Sequence, residues 1–532
     1  MATEASYDAV VVGAGFAGMY MLHRLRRVGL SARVFETGDG VGGTWYWNRY
    51  PGARVDVPSL SYSYSFSDDL QQDWCWPETY SSQEELEKYA NHVADRFDLR
   101  PDIQLGTTVV GADYDEAANR WTVRTDRDDL VTARFLITAA GCLSATNVPD
   151  FPGLESFGGT WYHTSRWPKE PVDLSGLRVG VIGTGSTGIQ AVPVIAEQAA
   201  HLYVFQRTPN YSLPTGNRPM DPEVEREWKA RYDEHRDLDR NSYAARHVPL
   251  PAHAALDLDR DERDRIFEEA WYEGAFAMMQ AFKDLRTSRE ANETAAEFVR
   301  RKIRATVKDP EVAELLCPKD YPIGTKRLCL DSHYYETFNR DNVTLVDVRT
   351  HPIEEITPSG LRTSAAEYQL DVIVFATGFD AMTGPLLRMN ITGRGGLTLG
   401  EKWEYGPRTY LGLSIAGFPN LFTITGPGSP SVLASMITCI EQHVDLIADT
   451  IVHLDQAGLE TIEATTEAED AWVAHVNEVA DATLYKYANS WYLGSNIPGK
   501  PRVFMPYTGG FNVYTARCNE VVANDYEGFA LA

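Results

Sequence analysis

Two glycine-rich turns carry the first chemistry legible in this chain. Gly13-Ala14-Gly15-Phe16-Ala17-Gly18 follows the apolar run Ala9 to Val12, and Gly183-Thr184-Gly185-Ser186-Thr187-Gly188 follows Val179 to Ile182. Each precedes a stretch with helical spacing. Glycines in this arrangement let a helix N-terminus, with its free amides, come close to a pyrophosphate. The residue closing the next apolar run then reads the adenosine ribose. After the first turn that residue is Glu36, which accepts from a ribose hydroxyl pair and repels a 2′-phosphate. After the second it is Gln206, followed by Arg207 and Thr208. A neutral residue lifts the repulsion, and the guanidinium supplies a phosphate clamp. The first turn is therefore expected to hold FAD or NAD, and the second NADPH. One such motif could be a turn in some other α/β protein; two, matched in strand, helix and spacing, point to paired dinucleotide sites.

Turns of this kind need parallel strands behind them and helices ahead. The expected fold is α/β, with two Rossmann-like dinucleotide-binding domains and a helical insertion in the second. At 532 residues the chain is too long for one core. Residues 1–145 are expected to form the first part of the FAD-binding domain, with strand character at 108–113, 120–125 and 134–139. Residues 146–218 would open the NADPH-binding domain, through a linker rich in Pro and Gly at 149–159. Across 219–322 Glu, Arg, Asp and Ala dominate at helical spacing, notably at 261–279 and 289–308, which reads as the insertion. Residues 323–378 would complete the NADPH domain, where Ala376-Thr377-Gly378 parallels Ala139-Ala140-Gly141. Residues 379–532 would return to the FAD domain. A helix is expected beyond Ser431, its start facing a flavin whose reduced, anionic form the helix dipole favours.

A net charge of −26 argues against the basic face that nucleic acid requires. The six cysteines, Cys75, Cys142, Cys317, Cys329, Cys439 and Cys518, form neither a Cys-x-x-Cys pair nor a metal-like cluster. That removes the disulfide-reductase reading of a two-nucleotide flavoprotein, leaves no metal site expected, and suits a reducing compartment. Strand character from about Tyr7 leaves no room for a signal peptide, and no apolar run reaches the length of a membrane span, so a cytoplasmic protein is expected. Without redox cysteines, a metal or a partner domain to receive the electrons, O2 is the natural acceptor for a reduced flavin.

The segment Phe157-Gly158-Gly159-Thr160-Trp161-Tyr162-His163-Thr164-Ser165-Arg166-Trp167-Pro168 lies between the two glycine turns and resembles the signature of the type I Baeyer–Villiger monooxygenases. The run from Gly42 to Asp56, Gly324-Thr325-Lys326-Arg327 and Ser490 to Lys500 resemble further segments of that family, so the likeness covers essentially the whole chain. It is nearest to the phenylacetone and steroid branch. The resemblance implies tightly bound FAD, NADPH, and O2 as cosubstrate, with a ketone converted to an ester or lactone through a flavin C4a-peroxide. It implies a catalytic Arg327 that stabilises negative charge on oxygen, paired with Asp56. A guanidinium suits that task because it stays charged at any working pH. It places FAD against Gly13, Gly15, Gly18 and Glu36, and against Gly43, Thr44, Trp45, Trp47, Asp56, Tyr62 and Met436. It places NADP against Gly183, Thr184, Gly185, Ser186, Thr187 and Gly188, and against Arg54, Arg207, Thr208, Lys326, Arg327 and Trp491. Phe157, Gly159, His163 and Trp167 belong to a linker motif that couples domain movement to catalysis, not to an acid–base pair.

Each of these residues also has a plainer reading. Arg327 alone could be a surface ion-pair residue, Asp56 a turn or cap, His163 a structural histidine and Trp491 core packing. Ser431, Val432, Leu433 and Met436 resemble a substrate-pocket loop, and they could equally be a buried helix start. A largely apolar pocket suits a hydrophobic aryl or cyclic ketone, with sulfides as secondary substrates. Pro58 and Cys142 depart from the branch pattern, which puts substrate scope in doubt. Two other functions remain open at this stage: a heteroatom-hydroxylating flavin monooxygenase, and a non-catalytic NADPH-binding sensor. The expected partner is a small hydrophobic ketone, without nucleic acid or membrane, in a monomer or weak oligomer.

Overall fold

The computed structural model describes residues 5–532. Its first sheet is built around the strand Ala5–Val12, which pairs in parallel with Ala32–Phe35 on one side and Leu130–Thr138 on the other. Ala9 and Val11 point to one face and Val10 and Val12 to the other, and both faces are covered. That is why the run is apolar without alternation. On the first face the helices Phe16–Arg27 and Met436–Ala457 pack together through residues such as Leu22, Leu25, Val444 and Ile451.

Leu130–Thr138 is shared between two partners along one edge. Its first half pairs antiparallel with Arg120–Thr125, and its second half pairs in parallel with Leu421–Thr423. Residues near the C-terminal third thus complete a sheet begun at the N-terminus. Beyond Arg120–Thr125 lie Val109–Asp115 and Ile391–Thr392; Ile103–Gln104 closes the opposite edge.

The second sheet is wholly parallel, in the spatial order Val343–Asp347, His201–Gln206, Arg178–Ile182, Val372–Phe375 and Thr160–His163. The signature segment, read from sequence as a linker, therefore supplies an edge strand. Between His201–Gln206 and Val343–Asp347 the chain forms the helices Pro222–Lys229, Tyr232–Arg240, Arg260–Trp271, Ala275–Met279, Arg289–Thr306, Pro310–Leu316 and Tyr334–Thr337. The helical stretch expected at 261–279 is two helices, because Gly274 adopts φ +96° and breaks it. The α/β architecture with two glycine-turn sheets agrees with expectation. Among the described residues no helix is long and apolar enough to cross a membrane.

Candidate active site

The two glycine turns are built alike to the level of single atoms. Gly13 (φ +106°) donates its amide to Phe35 O at 2.8 Å, and Gly183 (φ +109°) donates to Phe205 O at 3.1 Å. A Cβ on Gly13 would lie 2.6 Å from Ala139 O, and one on Gly183 would lie 2.5 Å from Ala376 O. Both positions thus demand glycine for conformation and for space. The helices that follow have Gly15 and Gly185 at their N-caps, no side-chain cap and no acidic residue in the first turn. Their first amides stay free for an anion, as a pyrophosphate needs. Gly43 stacks on the first turn, where a Cβ would lie 2.8 Å from Gly15 Cα. Thr44 follows, exposed, at the start of a short helix.

Glu36 and Arg207 separate the two cradles chemically. The Glu36 carboxylate is buried and accepts from Ala14 N and Gly38 N at 2.7 Å each. Burial raises its pKa, and the two amides oppose that rise. It therefore fixes the glycine turn as well as offering its remaining lone pairs to a ribose. At the second cradle Gln206 turns its amide to Leu315 O at 2.8 Å, and its buried Oε1 has no partner among the described residues. Thr184 Oγ1 donates to Thr208 O at 3.0 Å and ties the two loops together. Arg207 and Lys326 have no carboxylate partner among the described residues. Lys326 lies 4.5 Å from the centre of the Tyr321 ring. Burial and then the neighbouring Arg207 charge lower its pKa to about 8. Two cations held near one another with no carboxylate in direct contact suit a phosphate. Glycine cradles with free amides, an acceptor in one and paired cations in the other, fit an unphosphorylated adenosine and a 2′-phosphorylated one respectively.

Arg327 and Asp56 meet as the likeness implied. Arg327 Nε and Nη2 donate to Asp56 Oδ2 at 2.8 and 2.6 Å, and Nη1 donates to Val432 O at 2.8 Å. Burial acts to lower the guanidinium pKa, but the attraction of Asp56 overrides it, and the net shift is upward. Arg327 is thus a permanent cation. A guanidinium has five N–H donors, and three are used here, so two remain. Phe276 from the helical insertion lies 5.9 Å from the guanidinium, and the buried Tyr492 hydroxyl faces it, its own pKa pushed up to about 12 by burial. Sequence reading missed both residues. The Ser490–Lys500 resemblance could have pointed to Tyr492; nothing local marks Phe276.

Val432, Leu433 and Met436 cluster with Cys142, Met382, Trp491, Tyr492, Phe504 and Met505. Ser431 is fully buried at φ +44° with its hydroxyl toward Met382 Sδ, and burial pushes the pKa of the neighbouring Cys142 thiol up to about 11. The helix expected beyond Ser431 begins only at Met436, since Ala434 is extended and interrupts a single 3-10 turn. Trp491 packs against Tyr492, with the ring centres 4.3 Å apart and the planes tilted by 56°. Tyr62 accepts from Trp45 Nε1 at 3.3 Å. Arg54 is engaged with Glu78 and with Tyr80 O, so its side chain is occupied within the protein.

His163 is buried and is the junction of three segments. Its Nδ1 accepts from Ser165 N, and its Nε2 faces Thr377 Oγ1 at 3.2 Å. Thr377 Oγ1 in turn donates to Asn147 O at 2.7 Å. Burial lowers the His163 pKa to about 4, which keeps the ring neutral. The same segment reaches the loop and short helix that follow the strand Ala32–Phe35, where Arg166 lies 4.2 Å from the centre of the Trp47 ring and Lys169 pairs with Asp39. Trp167 is buried against Tyr162 at 5.1 Å. Gly159 is packed so closely on Asp371 O and the Phe157 ring that a Cβ has no room. Tyr50 and Gln190, which sequence reading did not single out, join the Gly42–Asp56 run to the helix after the second glycine turn. Tyr50 OH donates to Gln190 Oε1 at 2.8 Å, and Gln190 Nε2 donates to Arg54 O at 2.9 Å.

Comparison with known proteins fits this geometry. The family model described as FMO-like, flavin-binding monooxygenase-like, matches residues 7–216. The chain is 44% identical to an acetone monooxygenase (methyl acetate-forming) of Gordonia sp. strain TY-5, covering 99% of each chain. It is 46% identical to a Baeyer–Villiger monooxygenase of Pseudooceanicola batsensis, covering 99% of this chain and 96% of the relative. Among solved structures, an oxidized steroid monooxygenase bound to NADP superposes with a TM-score of 0.95 at 55% identity, over 99% of each chain.

Proposed function

The chain belongs to the type I Baeyer–Villiger monooxygenases of the flavin-binding monooxygenase-like family, and we infer that it converts a ketone to an ester or lactone with NADPH and O2. Bound FAD, reduced by NADPH, supplies the electrons that activate O2. We assign the work of the protein as follows. Gly13, Gly15 and Gly18 admit the FAD pyrophosphate, and Glu36 takes its ribose. Gly43, Thr44, Trp45, Trp47, Tyr62 and Met436 enclose the rest of the flavin. Gly183, Gly185 and Gly188, with Thr184, Ser186 and Thr187, admit the NADPH pyrophosphate. Arg207 and Lys326, beside Thr208, hold its 2′-phosphate, and Trp491 and the Arg54 segment border the nucleotide.

Arg327 is the observation that carries this reading. Asp56 and Val432 O consume three of its donors in fixed directions. Two donors on a permanent cation are left to meet the negative charge that develops on oxygen as the ketone carbonyl is attacked. The cluster of Val432, Leu433, Met436 and Cys142, with Ser431 beneath it, forms the wall for a hydrophobic ketone and excludes water from the reacting atoms. His163 does not move a proton in this scheme. With Phe157, Gly159 and Trp167 it ties the second sheet to the first, and it is the place about which the two would shift.

The domain boundaries proposed are 1–145 and 379–532 for FAD, and 146–218 and 323–378 for NADPH, with 219–322 inserted. Five of the six cysteines are buried and all are free, which supports a reducing, cytoplasmic setting; a monomer or weak oligomer is the working assembly. The test is to reduce the FAD-loaded protein with one equivalent of NADPH without air, then to add O2 with and without phenylacetone. Ester formed in step with NADPH consumed supports the reading. Hydrogen peroxide as the sole product with phenylacetone, acetone and cyclohexanone alike would overturn it.

A further inference from the structure

We propose that Cys329 and Asn210 are positioning residues, a hub through which the occupied nucleotide site sets the backbone of Arg327. The proposal rests on the NADPH reading above. Cys329 lies two residues beyond Arg327, at the start of the strand Cys329–Asp331, which pairs in parallel with Ser212–Pro214. Its thiol is buried and has three polar neighbours: Ser186 Oγ at 3.1 Å, Asn210 Nδ2 at 3.2 Å and Arg327 O at 3.4 Å. The chemistry of the partners fixes the directions. A carbonyl only accepts and an amide nitrogen only donates, so S–H donates to Arg327 O and the sulfur accepts from Asn210. The Ser186 hydroxyl is then the remaining donor to sulfur.

Asn210 completes the connection. Its Nδ2 also reaches Arg327 O at 3.4 Å, and its Oδ1, at 2.8 Å, shares the Tyr321 hydroxyl proton with Pro209 O at 2.9 Å. The Tyr321 ring is the one over which Lys326 lies. One continuous set of contacts thus runs from Ser186, the first residue of the uncapped helix at the second cradle, to Lys326 at the phosphate-binding cations. The carbonyl of Arg327 sits in its middle.

Both ends are ligand-facing. The Ser186 hydroxyl has a single proton, so a phosphate oxygen that takes it removes it from the sulfur. A phosphate that draws Lys326 away from Tyr321 changes what holds Tyr321 and hence Asn210. Sulfur makes weak hydrogen bonds, which lets the exchange occur at little cost. Burial pushes the Cys329 thiol up to about 12, so it stays protonated and acts as a donor, not as a nucleophile.

The experiment is a double-mutant cycle on the FAD-loaded, full-length protein, with Ser186→Ala, Cys329→Ala and both together. NADP+ affinity is read by calorimetry, and the ester-to-peroxide ratio by product analysis. Ser186→Ala removes the donor to phosphate and is expected to weaken NADP+ binding about tenfold. Cys329→Ala removes the contact that the hydroxyl gives up on binding and should tighten it a few-fold, and the double variant should match Ser186→Ala, because without the hydroxyl the sulfur has nothing to release. The ester share should fall in Cys329→Ala and return in Cys329→Ser, which keeps a donor and an acceptor; packing alone would not predict that rescue. A double variant whose affinity is the product of the two single effects, or a Cys329→Ala protein that matches the parent in both readouts, would overturn the hub while leaving the NADPH reading intact. A parent protein that binds no NADP+ would overturn both.

Discussion

Arg327 reaches Asp56 across 271 residues of sequence, and both of its contacts fall on the same carboxylate oxygen. The second oxygen is left out of the pair, so the grip is a two-to-one fork and not a parallel bidentate one. Arg327→Lys keeps the charge but has one nitrogen, which cannot hold Asp56 and Val432 O in those directions at once. Arg327→Ala should still be reduced by NADPH and should lose ester formation by roughly two to three orders of magnitude in kcat, with Arg327→Lys nearly as impaired. Full oxygenation by either variant, measured as ester per NADPH, would count against the catalytic role.

Arg207 and Lys326 should separate NADPH from NADH. Replacing either with Ala is expected to raise KM for NADPH roughly ten- to a hundredfold while leaving KM for NADH within about twofold. Steady-state kinetics with both nucleotides checks this. Equal losses for the two nucleotides would move the phosphate elsewhere.

Lys326 also predicts a pH dependence. Its burial, and then the Arg207 charge, hold its pKa at about 8 in the nucleotide-free protein. A phosphate favours the charged form, so the complex binds more protons than the free protein, and affinity falls as pH rises through 8. NADP+ affinity should be flat from pH 6.5 to 7.5 and decline above 8. In Lys326→Met the decline should vanish from a calorimetric titration series.

Gly13→Ala and Gly183→Ala present the same steric conflict at two sites, and their outcomes should differ in kind. Gly13→Ala should purify with little or no flavin colour. Gly183→Ala should remain yellow and lose NADP+ binding. Absorbance at the flavin band and NADP+ calorimetry distinguish them; a colourless Gly183→Ala protein would contradict the division of labour.

His163 links stability to acid. Burial holds its folded-state pKa at about 4, below the ordinary 6.5 of the unfolded chain. The unfolded state therefore binds more protons between these values, and stability is lost as pH falls from about 6.5 towards 4. At pH 5 this one group should cost about 2 kcal/mol, and His163→Gln should remove that share of the acid sensitivity. Urea unfolding at pH 7.5 and 5.0 tests it, and an identical pH loss in parent and variant would refute the assignment.

The glycine turns, Glu36 and Arg207 were legible because backbone sterics and the sign of a charge act over a few residues. The Asp56–Arg327 pair was legible only through resemblance, since no local pattern can join positions so far apart. Phe276, Asn210 and the Tyr50–Gln190 contact were illegible for the same reason: each acquires its meaning from packing against a distant segment. The edge strand Thr160–His163 was hidden because its sequence is mixed, and its pairing with Val372–Phe375 supplies the order. The helix after Ser431 is delayed because Ala434 is extended and ends the short turn begun at the left-handed, buried Ser431, a break that composition does not announce.

The divided strand Leu130–Thr138 also governs how the protein can be made. On the ribosome every strand of the second sheet has been synthesised once Phe375 emerges, whereas the first sheet still lacks the partner of Leu136 to Thr138 until Thr423 follows. A nascent chain of intermediate length therefore carries an open, apolar strand edge in the half that must receive the flavin, which is where a chaperone or a neighbouring chain would pair with it. With the flavin assigned to that sheet, cofactor loading is expected to follow synthesis, and C-terminal truncations upstream of Leu421 should fail in the N-terminal sheet.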